Sequence, residues 1–354
     1  MISSSFFYKA YIGIIIFATI FVCVTNTRRY GKTNNIFLLC ITILLALLIG
    51  FRDVNDIGFG DTPLYARVYT SIGSLDFFSD EPGFNFIMEV SRSLGLSVSM
   101  FFTVVAFCYI SFQYCGSKKL VRENSVFLYW LIIGAFSFTG YAINGIRNGL
   151  ACSIVYLVLP YIFSDKKSQW LIVLLLCCIA ISIHTSTLLP IACIFVARFI
   201  IRNFHVCIFI WVVSIILSIV FGSFFMSLFG GIFNNERLDG YLEVMSSHGF
   251  RWDFLLYSFI PILLAYYYIV YQNFVDRQYI YLINSYILSN AIWILVINAN
   301  FSNRFAYLSW FLYPVTIAYP LIKCNTKNYI ARQNTGIVAH STFTIIMWLI
   351  YQYR

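Results

Sequence analysis

The chain is 354 residues long, 60% apolar and only 10% charged, and its 23 Lys and Arg outnumber 14 Asp and Glu for a net charge of +9. A soluble domain carries about 25% charged residues, so an ordinary soluble enzyme is excluded, and no stretch is polar enough to form a separate soluble domain. The basic residues sit in short clusters between apolar runs and no recognition motif accompanies them, which argues against nucleic-acid binding and fits the cytoplasmic anchors of membrane helices.

A helix crossing the hydrocarbon core needs ~20 mainly apolar residues. In chain order such runs fall at 6–24, 36–50, 98–115, 126–142, 149–163, 170–186, 187–201, 206–229, 254–271, 280–299, 305–322 and 337–353. Some are short and nearly continuous with the next, so about 10–12 spans are expected. The first run contains Lys9 but no small-residue cleavage site, which makes it a span rather than a signal peptide. The expected fold is all-α, a polytopic transmembrane helical bundle forming a single membrane domain over 1–354. Two connections are larger, 51–97 and 230–253, and the first holds an amphipathic stretch around Phe84–Val90 suited to the membrane interface. No internal repeat is present, so the inverted symmetry common in secondary transporters is unsupported.

Orientation follows from the Lys and Arg bias. Placing Arg28, Arg29 and Lys32 on the cytoplasmic side also puts Lys118, Lys119, Arg122, Lys166, Lys167, Arg198, Arg202, Arg277, Lys323, Lys327 and Arg332 inside. Every lysine except Lys9 is then inner, the other outer cations are all Arg, and most carboxylates are outer. A guanidinium binds phosphate or carboxylate bidentately, whereas an ammonium is a hydrated point charge. The outer side is therefore expected to hold anions. The ten cysteines lie within apolar segments or at their inner ends, so no disulfide framework is expected.

Ionisable residues near membrane depth are functional candidates, since each is costly unless partnered. Arg52, Arg147, His184 and Arg304 fit this description, and the topology puts them on the outer side with Asp61 and Glu81. Taken singly, each Arg could be a snorkelling anchor and His184 a packing histidine; their shared side is what singles them out. In the second loop Arg237, His248 and Arg251 are weaker candidates, and Asp53, Asp56 and Asp76 are expected to be solvated loop residues. The four histidines never approach one another in sequence, so no metal site is expected, and there is no P-loop, GxSxG elbow or dinucleotide fingerprint.

The ordered set Gly50-Phe51-Arg52, GDTPLY from Gly60, EPGF from Glu81, NGIRNGLA from Asn144, IHTSTL from Ile183 and SNRFAYLSW from Ser302 resembles the EpsG-type branch of the Wzy-like O-antigen polymerases. Phe59 precedes Gly60-Asp61-Thr62 where that family's pattern is a compact Gly-Thr-Asp-Thr, and Asn148 stands where Gln is common; neither change removes a charged group. The resemblance implies a multi-pass enzyme of the bacterial inner membrane, active on its periplasmic face, that joins oligosaccharide repeat units carried on undecaprenyl pyrophosphate. It needs no nucleotide sugar and no cofactor, with divalent-cation dependence left open. Its expected partners are the lipid-linked oligosaccharide, membrane lipid, and a chain-length regulator and flippase of the same pathway. For this chemistry Arg147, Arg304 and Arg52 are expected to grip the pyrophosphate, while His184, Asp61 and Glu81 are candidates for the base. A lipid-linked oligosaccharide flippase and an O-antigen ligase-like transferase are the alternatives; a flippase would need polar residues through both leaflets.

Overall fold

The computed structural model describes residues 1–25, 33–71, 81–122, 124–233, 249–299, 302–324 and 328–352, and these are helical with no β-strand among them. Among the described residues fifteen α-helices follow one another: α1 Ser4–Thr25, α2 Thr33–Gly50, α3 Thr62–Thr70, α4 Pro82–Ser93, α5 Val98–Val121, α6 Ser125–Ile133, α7 Ile146–Ile162, α8 Trp170–Ile183, α9 Leu188–Phe199, α10 Phe204–Phe233, α11 Trp252–Tyr266, α12 Arg277–Ile294, α13 Ser302–Trp310, α14 Tyr313–Lys323 and α15 Tyr329–Gln352. Each of the twelve apolar runs overlaps one of these helices or two in succession. Among the described residues five stretches are long and apolar enough to cross a membrane, Ser4–Thr25, Val98–Val121, Phe204–Leu228, Trp252–Tyr271 and Ser302–Lys323; four shorter apolar helices accompany them. The chain is a multi-pass, all-α membrane protein.

Two expected spans are interrupted for identifiable reasons. The run over 126–142 stops as α6 at Ile133, where Gly134 caps the helix, and resumes as a π-helical turn at Gly140–Asn144 before α7. The run over 305–322 divides into α13 and α14 at Phe311 and Leu312. Pro314, in the first turn of α14, has no N–H to continue the hydrogen-bond ladder.

The chain divides into two compact units, residues 1–188 with 321–354, and residues 189–320. In the first unit α5 packs against α2 and α7, and α7 packs against α8. Every residue of α6 from Val126 to Ile133 is buried, and so is most of α7. A helix apolar on all sides belongs in the interior of a bundle. The α5–α7 contact is close: a Cβ on Gly116 would lie 2.2 Å from the Tyr156 carbonyl oxygen. With no hydrophobic driving force between helices in lipid, such approach by small residues is what adds attraction.

The ends of the first unit sort as alternating spans require. At one end Lys119 lies 3.8 Å from the Tyr161 ring, Asn124 Nδ2 donates to Gln333 Oε1 at 2.7 Å, and Asn334 Nδ2 donates to the Cys23 carbonyl at 3.3 Å. At the other, Tyr8 packs on Trp348 and the N-terminus docks on the residues after α2, Ile2 N–H donating to the Phe51 carbonyl at 2.9 Å. Asp56 holds that docking, accepting from Ser4 N–H at 2.7 Å and Gly58 N–H at 2.9 Å.

In the second unit α10 packs on α12, and α12 on α11 and α13. Its interior is bound by side-chain polar contacts: Trp211 Nε1 donates to Asn290 Oδ1 at 2.7 Å, Asn290 Nδ2 to Ser309 Oγ at 3.1 Å, and Trp310 Nε1 to Ser258 Oγ at 2.8 Å. Polar side chains meeting across helices are a common adhesive in membrane bundles.

Candidate active site

Five of the six motifs lie in the first unit, and they meet at the end that also holds the N-terminus. Glu81 is the centre. It immediately precedes α4, whose first position is Pro82, and its carboxylate makes no capping bond to its own helix. It turns instead to two other elements: Arg147 Nη1 pairs with Oε2, and His184 Nδ1 pairs with Oε1.

Each partner is delivered by local structure. His184 ends α8 in extended conformation, with φ −154° and ψ 111°, and the following 3-10 turn fixes it through a 2.7 Å bond from Thr187 Oγ1 to its carbonyl. Arg147 sits at the second position of α7, just after the π turn. Its Nε donates to Tyr65 OH at 3.2 Å, and its guanidinium carbon lies 5.8 Å from the centre of that ring. Gly83 brings α4 down onto the end of α8: a Cβ there would stand 2.4 Å from Ser182 Oγ and 2.9 Å from the Ser182 carbonyl carbon.

The Gly60-Asp61-Thr62 turn is wedged beside them. Gly60 has φ 56°, a left-handed conformation that favours glycine, and a Cβ on it would meet Asn144 Oδ1 at 2.4 Å. Thr62 Oγ1 accepts from Arg52 Nε at 2.8 Å, tying the turn to the end of α2. Arg52 is fully buried, with Nη1 on the Ile49 carbonyl at 2.8 Å and its guanidinium 4.0 Å from the Phe102 ring centre. Burial, the largest influence, pushes its pKa down to about 9 against the raising effect of the Tyr65 and Tyr8 hydroxyls, so Arg52 stays cationic at neutral pH.

The electrostatics favour an ionised Glu81. Its side chain is only 7% exposed, and this burial, the largest single influence, raises its pKa; the bonds and charges of His184 and Arg147 together outweigh it and leave the carboxyl below its ordinary value. A carboxylate that accepts from His184 Nδ1–H fixes the tautomer and leaves the Nε2 lone pair to take a proton. The His184 side chain is 18% exposed, and no hydrogen bond joins Nε2 to another described residue. The arrangement can therefore orient an imidazole base next to a guanidinium.

The remaining candidates are placed as follows. Asp61 is partly exposed and precedes α3, one helical turn before Tyr65. Arg304 lies in the first turn of α13 in the second unit. Arg251, in the same unit, is engaged with Asp253 through bonds of 3.0 and 2.7 Å and lies 3.4 Å from the Phe254 ring centre. Arg237 and His248 fall outside the described residues, as does Asp76. Asp53 accepts from Asn55 N–H at 3.0 Å, and Asp56 caps α1, so both do structural service in the loop. Among the described residues no three His, Cys, Asp or Glu side chains group as metal ligands. Tyr65, Thr62 and Asn144 were not singled out from sequence; the signal for them was their place inside GDTPLY and NGIRNGLA, the motifs that turn out to touch.

A family model described as the EpsG family matches residues 35–354. No curated protein and no solved structure matched the chain. That match covers nine-tenths of the sequence and takes in every motif that builds the Glu81 cluster, and the chain belongs to the EpsG family.

Proposed function

We propose that this protein is a glycosyltransferase of the bacterial inner membrane that polymerises surface polysaccharide on the periplasmic face, using oligosaccharide repeat units carried on undecaprenyl pyrophosphate. Membership of the EpsG family supports a membrane-bound role of the polysaccharide-polymerase type. The observation that carries the mechanism is one buried carboxylate, Glu81, shared between His184 and Arg147.

In this reading Glu81 holds His184 with Nε2 available. The acceptor sugar hydroxyl attacks the anomeric carbon of the donor glycan and gives its proton to Nε2. The new glycosidic C–O bond forms as the bond from that carbon to the pyrophosphate oxygen breaks, and the electron pair leaves with undecaprenyl pyrophosphate. Arg147 faces the charge that accumulates there; its five N–H donors suffice for Glu81, Tyr65 and a phosphate oxygen together. Arg52, fully buried, is assigned a positioning role in place of ligand contact: it braces the Gly60–Thr62 turn from which Asp61 and Tyr65 extend. A flippase delivers the repeat units and a chain-length regulator ends the chain.

The test is deletion of the gene followed by electrophoresis of the surface glycan. A ladder that collapses to one repeat unit on its anchor supports polymerisation, because flipping and ligation still operate. Loss of every unit from the surface would refute it in favour of flipping or ligation.

A further inference from the structure

α4 presents two unlike faces. Phe84, Met88 and Ser91 are buried, and Phe84 packs edge-on against Phe101 of α5 at 6.1 Å. On the other side Phe86, Val90 and Leu94, spaced four residues apart, are 65%, 42% and 71% exposed. A spacing of four puts Phe86 and Val90 on one stripe of the helix, and Leu94, the residue that caps it, follows at the same spacing. Arg92, the cation in its last turn, points away from that stripe: Nε and Nη2 donate to the carbonyls of Tyr69 at 2.7 Å and Val68 at 2.5 Å. Glu89, also exposed, flanks the stripe.

The helices on either side of α4 also carry exposed apolar side chains. α4 packs on α8, whose Ile179 is exposed, and after the short link Leu94–Ser97 it runs into α5, where Met100 and Val104 are exposed. α5 is long and apolar enough to cross a membrane, so its exposed side chains meet acyl chains. α4 is joined to that membrane-crossing helix by four residues, exposes apolar side chains of the same kind, and is itself too short and too polar to span.

We infer that α4 is an interfacial helix, lying along the outer boundary of the bilayer with Phe86, Val90 and Leu94 inserted among lipid acyl chains. Twelve residues make a rod of about 18 Å, and Glu81 stands at its N-terminal end. Anchored this way, α4 fixes Glu81, and with it Arg147 and His184, at headgroup depth. That is the level at which a lipid-borne phosphate is presented. The inference rests on the membrane character of the chain and not on the proposed chemistry, so failure of the polymerase test would leave it standing.

The experiment uses the full chain in phospholipid nanodiscs with a keto amino acid introduced by codon suppression at 86, 90, 94 or, for comparison, 89, each coupled to a nitroxide. Power-saturation EPR then compares relaxation by oxygen, which concentrates in lipid, with relaxation by a neutral nickel chelate, which stays in water. The expected result is oxygen dominance at 86, 90 and 94, clearly above that at 89. Nickel dominance at the three stripe positions would overturn the inference, because the face would then be in water. Protection from both agents would also overturn it, because protein would then cover the stripe. Benzoylphenylalanine at 86 gives a second measurement free of the bulky label: a phospholipid adduct on irradiation is expected, and a protein adduct counts against an interfacial helix.

Discussion

At the residue scale, the behaviour of the site turns on how deeply Glu81 is buried and how fully it is paired. Removing one partner from a buried ion pair strands the other, which typically costs about 3–5 kcal/mol. Glu81→Gln keeps the shape but not the charge, and it frees the His184 tautomer. Polymer yield from this variant is expected to fall by about 10²-fold or more, with protein still in the membrane, as measured by glycan gel densitometry beside an immunoblot. A ladder of normal length would oppose the base-orienting role. Tyr65→Phe removes a single hydrogen bond to Arg147 and keeps the ring. A loss of about 0.5–1.5 kcal/mol corresponds to roughly a twofold to tenfold drop, and yield equal to wild type would show that the hydroxyl does not position Arg147.

The pH dependence has a definite sign. The carboxyl of Glu81 titrates below its ordinary value in the folded protein, so the unfolded chain binds the proton more readily. Its contribution to stability is fully present above the unfolded Glu value of about 4.3 and is lost as pH falls through the lower folded value. Melting curves of wild type and Glu81→Gln in detergent should therefore stay apart down to about pH 5 and converge only below that. Convergence already near pH 6 would mean that the carboxyl is raised and not lowered.

At the element scale, the site depends on two helix ends meeting. Gly83 allows α4 to lie against Ser182, two residues before His184. A side chain there must push the helices apart, and overpacking costs about 1–3 kcal/mol. Gly83→Val is expected to lower both thermal stability and polymer yield. Gly13→Ala on α1, where a Cβ would meet nothing within 4 Å, should leave both unchanged. Equal tolerance at the two positions would mean that the α4–α8 contact does not fix the site. The π turn at Gly140–Asn144 plays a related part, since π bulges inside helical segments often occur at functional sites, and this one ends three residues before Arg147.

At the scale of the whole molecule, the prediction concerns sidedness. Asp61 belongs to the end that holds the Glu81 cluster, and Lys118 lies at the C-terminal end of α5 beside Tyr114. A cysteine introduced at each position should react with an impermeant maleimide from opposite sides of the membrane. Labelling from one side alone would overturn the topology. The same scale sets the limit on what hydropathy can tell. Apolar run length is local, so the helices and their order were legible along the chain. Helix interruptions were not, because Gly134 and Pro314 each break a run whose average hydropathy stays high.

Taken alone, the amino-acid sequence says that this protein is an all-helical, multi-pass membrane chain, where its apolar helices run, and which motifs mark it as one of the EpsG family. It also determined that Arg147, His184 and Glu81 deserve notice, because charges near membrane depth are costly and conspicuous. Their pairing came only with the tertiary structure. Glu81 lies 66 residues from Arg147 and 103 from His184, and nothing along the chain distinguishes it from Asp61 as the carboxylate that meets them. Packing made that choice: Pro82 and Gly83 start α4 against the end of α8 and aim Glu81 inward, while Asp61 stays partly exposed. The same packing enclosed Arg52, which by sequence looked as available as Arg147. Burial is a property of the assembled helices, and no single segment encodes it.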